Sequence, residues 1–190
     1  KITQLITPRL FKIFFLCLLG LVIYAQTFDD QFHFDDQANI INNKAVHYLP
    51  DWPATFTGIC HFQPSRFVTN VTFALNYYVH RLDVFGYHLV NLFVHLAVVC
   101  LVWRLGELLL ALQEKPFSRR EKKDAFVESP PLAHVPFLAA LVFLAHPVNT
   151  GAVAYISQRS ESLAALFYVA SVCFYIQGKM AEKKQTLLFF

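Results

Sequence analysis

Two adjacent aspartates, Asp35 and Asp36, are the residues of this chain best suited to acid–base chemistry. They stand in the run FHFDDQANIINN, directly after a long apolar segment, where an unpaired carboxylate is costly to desolvate. Neighbouring residues on a helix project about 100° apart, so the two need not share a proton or a ligand. We expect one to face a cavity and Asp36 to cap the helix that starts near Ala38. The alternative is that both are solvated or capping residues.

A second polar group follows at helical spacing. His88, Asn91 and His95 lie three and four residues apart in the apolar run 87–112, which places them on one helix face. Polar side chains in a bilayer turn toward the protein interior or a wet cavity. They therefore form either an interhelical hydrogen-bond stripe or the lining of a substrate cavity.

A third group lies in the stretch HPVNTGAVAYISQRSESL, which begins at His146. Proline disfavours helical backbone in the residue before it, so His146-Pro147 ends one helix and the next opens near Arg159. A guanidinium beside the free N–H groups of a helix start is a good anion site. The alternative is that Arg159 pairs with Glu161 or with a lipid headgroup. Glu161, Arg66 and His146 complete the candidate substrate-binding residues.

No metal-binding motif or cofactor-binding motif stands out. A divalent ion held by His33, Asp35 and Asp36 is an alternative, because hard oxygen ligands suit Mg²⁺ or Mn²⁺.

The composition indicates a membrane protein. Of 190 residues, 56% are hydrophobic and 15% are charged, against about 25% charged in typical soluble domains. Apolar runs predict spans at about 10–28, 87–112, 132–148 and 162–176, with a fifth opening at 187–190. The third span contains two prolines and is assigned because the topology requires it. The fold class is therefore all-α, a polytopic transmembrane bundle, and we expect the chain to be an N-terminal fragment.

Lysine and arginine set the orientation of the spans. They cluster before the first span, in the loop 113–131 and after the fourth span, which places these segments in the cytoplasm. The large first loop, 29–86, is then extracytoplasmic. The net charge of +3 reflects this topology, and no nucleic-acid partner is predicted. The lipid bilayer is a partner by composition.

In order and spacing, these elements resemble the N-terminal part of a GT-C membrane glycosyltransferase. The closest resemblance is to the transmembrane and tetratricopeptide-repeat (TMTC) O-mannosyltransferases and their bacterial relatives. The matching residues are 34–37 with Ile40 and Asn42 or Asn43, 72–77, 86–92 with His95, and 146–148 with Thr150, 152–156 and 159–163.

The resemblance implies transfer of a mannose-like sugar from a polyprenyl-phosphate carrier to a hydroxyl acceptor, protein or glycan, with inversion, on the extracytoplasmic face. The catalytic first-loop acid of such enzymes carries over to Asp35. Asp36 is a second catalytic candidate, standing where protein O-mannosyltransferases tend to have Glu. Arg159 would stabilise the lipid-phosphate leaving group. Further spans and helical repeats would follow.

Two other functions stay open: a transporter or flippase of a lipid-linked sugar, which calls for broken helices, and a non-catalytic membrane scaffold. We expect a bacterial inner membrane, with the endoplasmic reticulum membrane as the alternative.

Overall fold

The computed structural model describes residues 2–47, 51–113 and 132–188, and these residues form helices and no strand. The all-α prediction is confirmed for them. The α-helices are α1 (Ile2–Ile23), α2 (Trp52–Phe62), α3 (Phe67–His80), α4 (Val84–Gln113), α5 (Val135–Ala145), α6 (Thr150–Ala154) and α7 (Arg159–Leu188).

Short helical turns join these helices and carry much of the candidate site. One π-helical turn covers Gln37–Ile41, where the sequence predicted a helix starting near Ala38. Single 3-10 turns lie at Ala25–Asp29, Lys44–Val46, Pro64–Arg66, Leu132–His134, Pro147–Asn149 and Ile156–Gln158.

Two helices are long and apolar enough to cross a membrane, at Val84–Leu112 and Ile156–Glu182. A third span is present if the segments Leu132–Ala145 and Pro147–Ala154, bent by 54° at the His146-Pro147 break, count as one. The described chain thus has two or three candidate spans, fewer than the polytopic bundle predicted.

The first and the fifth predicted spans and the basic loop are not found among the candidate spans or lie largely outside the described residues. The run 10–28 is not among the candidate spans found in the described residues. Helix α1 ends at Ile23, and the chain turns where Thr27 Oγ1 donates to Tyr24 O at 2.8 Å. Residues 187–188 end α7, while 189–190 and nearly all of the predicted cytoplasmic loop 113–131 lie outside the described residues.

Helix α4 is the centre of the packing, in contact with α1, α5, α6 and α7. The main core cluster joins α1, α4, α5 and α6 through apolar side chains: Leu16, Tyr24, Leu92, Leu96, Val99, Trp103, Ala140, Leu144 and Val153. Helices α4 and α5 approach closely at Gly106, where an added Cβ would lie 2.8 Å from Pro136 Cβ. Glycine is what permits this contact.

A second core cluster fixes the first loop onto the helices. Ile40 and Val46 of the loop pack with Phe73 of α3, Tyr87 of α4 and Ile156 of the turn before α7. Full burial of each such side chain contributes about 1.5–3 kcal/mol. The loop is therefore a folded part of the molecule, and it carries Asp35 and Asp36 to the start of α7.

Candidate functional site

Asp36 is the structural link between the first loop and the turn before α7. Its carboxylate is buried, with 1% of the residue exposed. Oδ1 accepts hydrogen bonds from the backbone N–H of Ser157, at 2.8 Å, and from the Ser157 hydroxyl. Oδ2 accepts from the backbone N–H of His33 at 2.9 Å. Three donors on one carboxylate hold residues that are 121 positions apart in sequence.

The predicted helix-capping role of Asp36 is wrong in one respect. Asp36 does precede the π-helical turn, but its side chain makes no capping bond there. The carboxylate serves the Ser157 N–H instead, because the first loop folds back against α7 rather than continuing as a free helix.

Asp35 faces the other way and is exposed. Its backbone N–H donates to the hydroxyl of Tyr155 at 3.2 Å, so the residue lies against the same turn as Asp36. The preceding Phe34 has φ of 41°, a backbone conformation that is uncommon for a bulky side chain. This bend lies directly before the two carboxylates, of which Asp36 is buried and Asp35 is exposed.

A metal site made from this segment does not form. Among the described residues, no three His, Cys, Asp or Glu side chains come together in a way that could hold an ion. The alternative set of His33, Asp35 and Asp36 fails because His33 and Asp35 are exposed while Asp36 points inward to Ser157.

Arg159, the first residue of α7, is completely buried in a polar cage. Its Nε donates to Asn91 Oδ1 at 2.7 Å, and one terminal nitrogen donates to Asn76 Oδ1 at 2.7 Å and Thr72 Oγ1 at 3.2 Å. The other terminal nitrogen donates to Tyr87 O at 2.9 Å.

Aromatic rings and a carboxylate complete the surroundings of this cation. The guanidinium carbon lies 4.7 Å from the Phe73 ring centre and 5.8 Å from that of Tyr87, which are favourable cation–π distances. Asp36 lies close enough to stabilise the charge electrostatically.

This burial corrects the expected role of Arg159 as an anion site. A guanidinium with no exposed surface and four protein acceptors is not offered to a phosphate. It pairs with amides and backbone instead of Glu161 or a lipid headgroup. Asp35 bonds to the side chain of Tyr155, four residues before Arg159. Asp35 is exposed, whereas Arg159 is enclosed.

His88 and Asn91 turn inward, as their spacing predicts, and form interhelical hydrogen bonds. The two ring nitrogens of His88 lie 3.3 Å from Val153 O and 3.1 Å from Asp30 O. Asn91 Nδ2 donates to the carbonyls of Tyr155 and Ile156. His88 therefore holds α6 and the start of the first loop against α4, and Asn91 holds the turn before α7 against it. These contacts fit the interpretation of the polar residues as a hydrogen-bond stripe.

His95 is buried one turn further along α4. Its Nε2 lies 3.5 Å from the Tyr24 hydroxyl, and its ring stacks on Phe143 at 5.6 Å between centres. It also lines a small cavity together with Glu161. Among His88, Asn91 and His95, it is His95 that lines this cavity.

The remaining candidates lie nearer the surface. Glu161 is exposed in the first turn of α7, and Arg66 is half-buried in the turn before α3. His146 is exposed, and its Nδ1 accepts from the Val148 N–H at 3.2 Å, capping the turn at the bend. The contacts of Asp36 and Arg159 include none of these three.

The sequence reasoning missed four residues that build the site: Tyr155, Ser157, Asn76 and Thr72. Thr72 and Asn76 are four residues apart on α3, a spacing that predicts a shared face and that went unused. Ser157 carries no local signal, because its role depends on a partner far away in sequence.

The comparisons agree with the resemblance read from the motifs. The chain is 30% identical over 179 residues to a protein O-mannosyl-transferase of Caenorhabditis elegans, covering 90% of this chain and 24% of that protein. It is 32% identical over 173 residues to the protein O-mannosyl-transferase Tmtc3 of Drosophila melanogaster, covering 86% of this chain and 19% of that protein. Human protein O-mannosyl-transferase TMTC4 is 30% identical over 178 residues, 88% of this chain and 23% of that protein.

The resemblance to the TMTC O-mannosyltransferases is thereby confirmed over most of the chain. The chain spans about a fifth to a quarter of the length of these relatives. No protein-family model matches it. No solved structure matches it either.

Proposed function

We propose that this chain forms part of a GT-C-type membrane glycosyltransferase that moves a mannose-like sugar from a polyprenyl-phosphate carrier to a hydroxyl acceptor, most naturally on a protein. The similarity to named protein O-mannosyl-transferases over most of the chain carries the proposal. The exposed Asp35, positioned by a buried neighbour, supplies a group able to act in that chemistry.

In the proposed reaction Asp35 is the general base. The acceptor oxygen attacks the anomeric carbon of the sugar while its proton passes to the Asp35 carboxylate. The bond from that carbon to the phosphate oxygen breaks, and the polyprenyl phosphate leaves with the electron pair. Direct displacement inverts the anomeric centre. A positioned base contributes about 10²–10⁴-fold to such a step.

The other residues of the site hold Asp35 in place. Asp36 binds the first loop to Ser157, and Arg159 fixes the same turn to α3 and α4. We assign both as positioning residues rather than catalytic residues. Arg66, half-buried on the first loop, remains a proposed substrate-binding cation.

We place the reaction on the extracytoplasmic face, where charge asymmetry puts the loop 29–86. The relatives reported above are animal proteins, which favours the endoplasmic reticulum membrane over the bacterial inner membrane expected from the sequence. The further spans and helical repeats of the full protein belong to the same proposal.

The test uses the full-length protein in proteoliposomes with radiolabelled polyprenyl-phosphate-mannose and an acceptor protein. We expect mannose linked to acceptor hydroxyls with the anomeric configuration inverted relative to the donor. Product with retained configuration would overturn the direct displacement. Absence of any glycosylated product would overturn the enzyme assignment.

The bend between α5 and α6 favours one second candidate, a flippase of lipid-linked sugar. Transporters commonly bind substrate at broken helices, and the 54° break at His146-Pro147 is one. The same proteoliposomes separate the two functions, because a flippase moves labelled lipid across the bilayer and yields no glycosylated protein.

A further inference from the structure

A small cavity of about 180 Å³ opens beside the start of α7, apart from the carboxylate clamp at Asp36. Its polar wall consists of His95, Asn149, Glu161 and Ser162, and Phe143 and Ala165 contribute to the apolar wall. At roughly 30 Å³ per water in the liquid, the space equals about six water molecules. That is room for one small polar guest.

One hydroxyl in the polar wall of this cavity, that of Ser162, has no hydrogen-bond partner among the described residues. The residue is 6% exposed, yet its hydroxyl makes no hydrogen bond within the described part of the chain. Its neighbour Ser160 and the more distant Ser171 on the same helix both bond to backbone carbonyls. Leaving a buried hydroxyl unpaired is unfavourable. A guest that forms a hydrogen bond with it would therefore gain binding free energy.

The chemistry of the walls selects the class of guest. The Glu161 carboxylate accepts hydrogen bonds, the Ser162 hydroxyl donates or accepts, and the Phe143 ring offers an apolar face beside the stacked His95 ring. The residues that line the cavity include no lysine or arginine, and a carboxylate repels phosphate. A neutral ring with several hydroxyl groups fits these walls, and a phosphate does not.

We propose that this cavity is a pyranose subsite that binds sugar hydroxyls through Glu161 and Ser162. The inference deepens the proposed function and rests on it. The pyranose has two sources with the same chemistry, the sugar of the polyprenyl-phosphate donor and a sugar on a glycan acceptor. Either source requires the same contacts with the cavity walls.

Two substitutions test the subsite in the full-length protein. Ser162→Ala removes the unpaired hydroxyl, and Ala165→Leu narrows the cavity from an exposed position. Neither breaks a hydrogen bond of the described residues, so both variants should fold and keep the apparent Tm. Ser171→Ala is the matched control, because Ser171 is exposed on the same helix and lies outside the cavity.

Binding is measured for three probes: polyprenyl-phosphate-mannose, sugar-free polyprenyl phosphate and methyl α-mannoside. We expect Ser162→Ala to weaken binding of a mannose-bearing probe roughly threefold to tenfold, the range for one lost hydrogen bond. Ala165→Leu should weaken it further, and Ser171→Ala should not change it. Binding of sugar-free polyprenyl phosphate should be the same in all variants.

The probe that loses affinity identifies the source of the sugar. A loss confined to polyprenyl-phosphate-mannose assigns the subsite to the donor, and a loss for methyl α-mannoside assigns it to a glycan acceptor. The subsite would be overturned if every variant bound both mannose-bearing probes with wild-type affinity. It would also be overturned if the variants lost as much affinity for sugar-free polyprenyl phosphate as for the mannose-bearing probes.

Failure of the subsite and failure of the proposed function are distinguishable. Wild-type protein that transfers mannose while Ser162→Ala and Ala165→Leu bind normally rejects the subsite alone. Wild-type protein that binds mannose through the cavity but forms no glycosylated product rejects the transferase alone.

Discussion

At the scale of single residues, two identical side chains next to each other have opposite tasks. The carboxylate oxygens of Asp36 accept hydrogen bonds from Ser157 and from the His33 N–H, whereas Asp35 is exposed at the surface. A carboxylate that already accepts three hydrogen bonds is a poor acceptor for a substrate proton. Environment, not residue type, therefore selects Asp35 for the proposed chemistry.

The clamp between the first loop and α7 predicts a graded loss of stability. Ser157→Ala removes one of the three bonds to Asp36 and should cost about 1 kcal/mol, while Asp36→Asn should cost about 3 kcal/mol because it weakens bonds to a charged acceptor. The apparent unfolding temperature of full-length protein in detergent measures both. The double variant should lose less than the sum, since the two side chains share a contact. Equal unfolding temperatures for Asp36→Asn and wild type would contradict the clamp.

The local sequence pattern predicted that the carboxylates of Asp35 and Asp36 point in different directions. It could not predict that Ser157 is the hydrogen-bond partner of Asp36. Spacing along one helix gave the inward face of His88, Asn91 and His95, because helical periodicity is a local property. The contact from Asp36 to Ser157 spans 121 positions, and only the fold brings the two together. The same holds for Arg159, whose position at a helix start indicated an anion site while its cage came from α3 and α4.

At the scale of elements, the turn before α7 is the point where the first loop, α3 and α4 meet. Arg159 donates to side chains or backbone of α3 and α4, and Asn91 of α4 returns bonds to the turn. Burying a cation is favourable only when its donors are satisfied, and breaking such a set is strongly destabilising. The cage therefore fixes the relative positions of these elements.

Arg159→Lys separates this structural role from phosphate binding. Lysine keeps the charge but cannot reproduce the planar fork that reaches Asn91, Asn76 and the Tyr87 carbonyl together. We expect a loss of about 3 kcal/mol, seen as a lower apparent Tm and lower folded yield, with donor KM unchanged in the folded fraction. A variant that folds like wild type but has a raised donor KM would show that Arg159 contacts the donor.

The approach of α4 to α5 gives a second prediction for the elements, with a control built into the chain. Gly106→Ala places a Cβ 2.8 Å from Pro136 Cβ, so the helices must separate and the apparent Tm should fall by several degrees. Gly178→Ala meets nothing within 4 Å and should keep or raise it, because alanine favours helix. Equal effects of the two substitutions would contradict the close packing.

Apolar run length predicted the helices at 87–112 and 162–176 within the longer α4 and α7. It did not predict the end of α1 at Ile23, because hydropathy does not mark where a helix gives way to a 3-10 turn such as Ala25–Asp29. The prolines indicated a break in the third segment, and the bend lies at the second of them.

At the scale of the whole molecule, large apolar side chains lie on the outside of α4 and α7, and several polar side chains lie inside beside the apolar core. Phe93 of α4 and Phe167 and Phe174 of α7 are exposed, while Asn91, Arg159 and His88 are buried. This inverted arrangement suits a lipid surround. The proposed transfer requires the first loop to lie on the side of the membrane where the lipid-linked sugar is found.

Cys60 reports that orientation. It is a free thiol exposed on α2 of the first loop, whereas Cys173 is buried. A membrane-impermeant maleimide added to sealed microsomes should label Cys60 only after permeabilisation, and Cys60→Ser should abolish that signal. A cysteine introduced by Ser118→Cys, in the predicted cytoplasmic loop, should be labelled without permeabilisation. Labelling of Cys60 in sealed vesicles would contradict the predicted topology and indicate the opposite orientation.

The proposed role of Asp35 as the base of a sugar transfer is tested by Asp35→Asn in full-length protein, assayed for mannose transfer from polyprenyl-phosphate-mannose. Asp29→Asn, at another exposed aspartate of the same loop, is the control. We expect Asp35→Asn to lower the transfer rate by about 10²–10⁴-fold with normal membrane insertion and apparent Tm, and Asp29→Asn to keep the wild-type rate. An Asp35→Asn protein that transfers mannose at the wild-type rate would contradict this role.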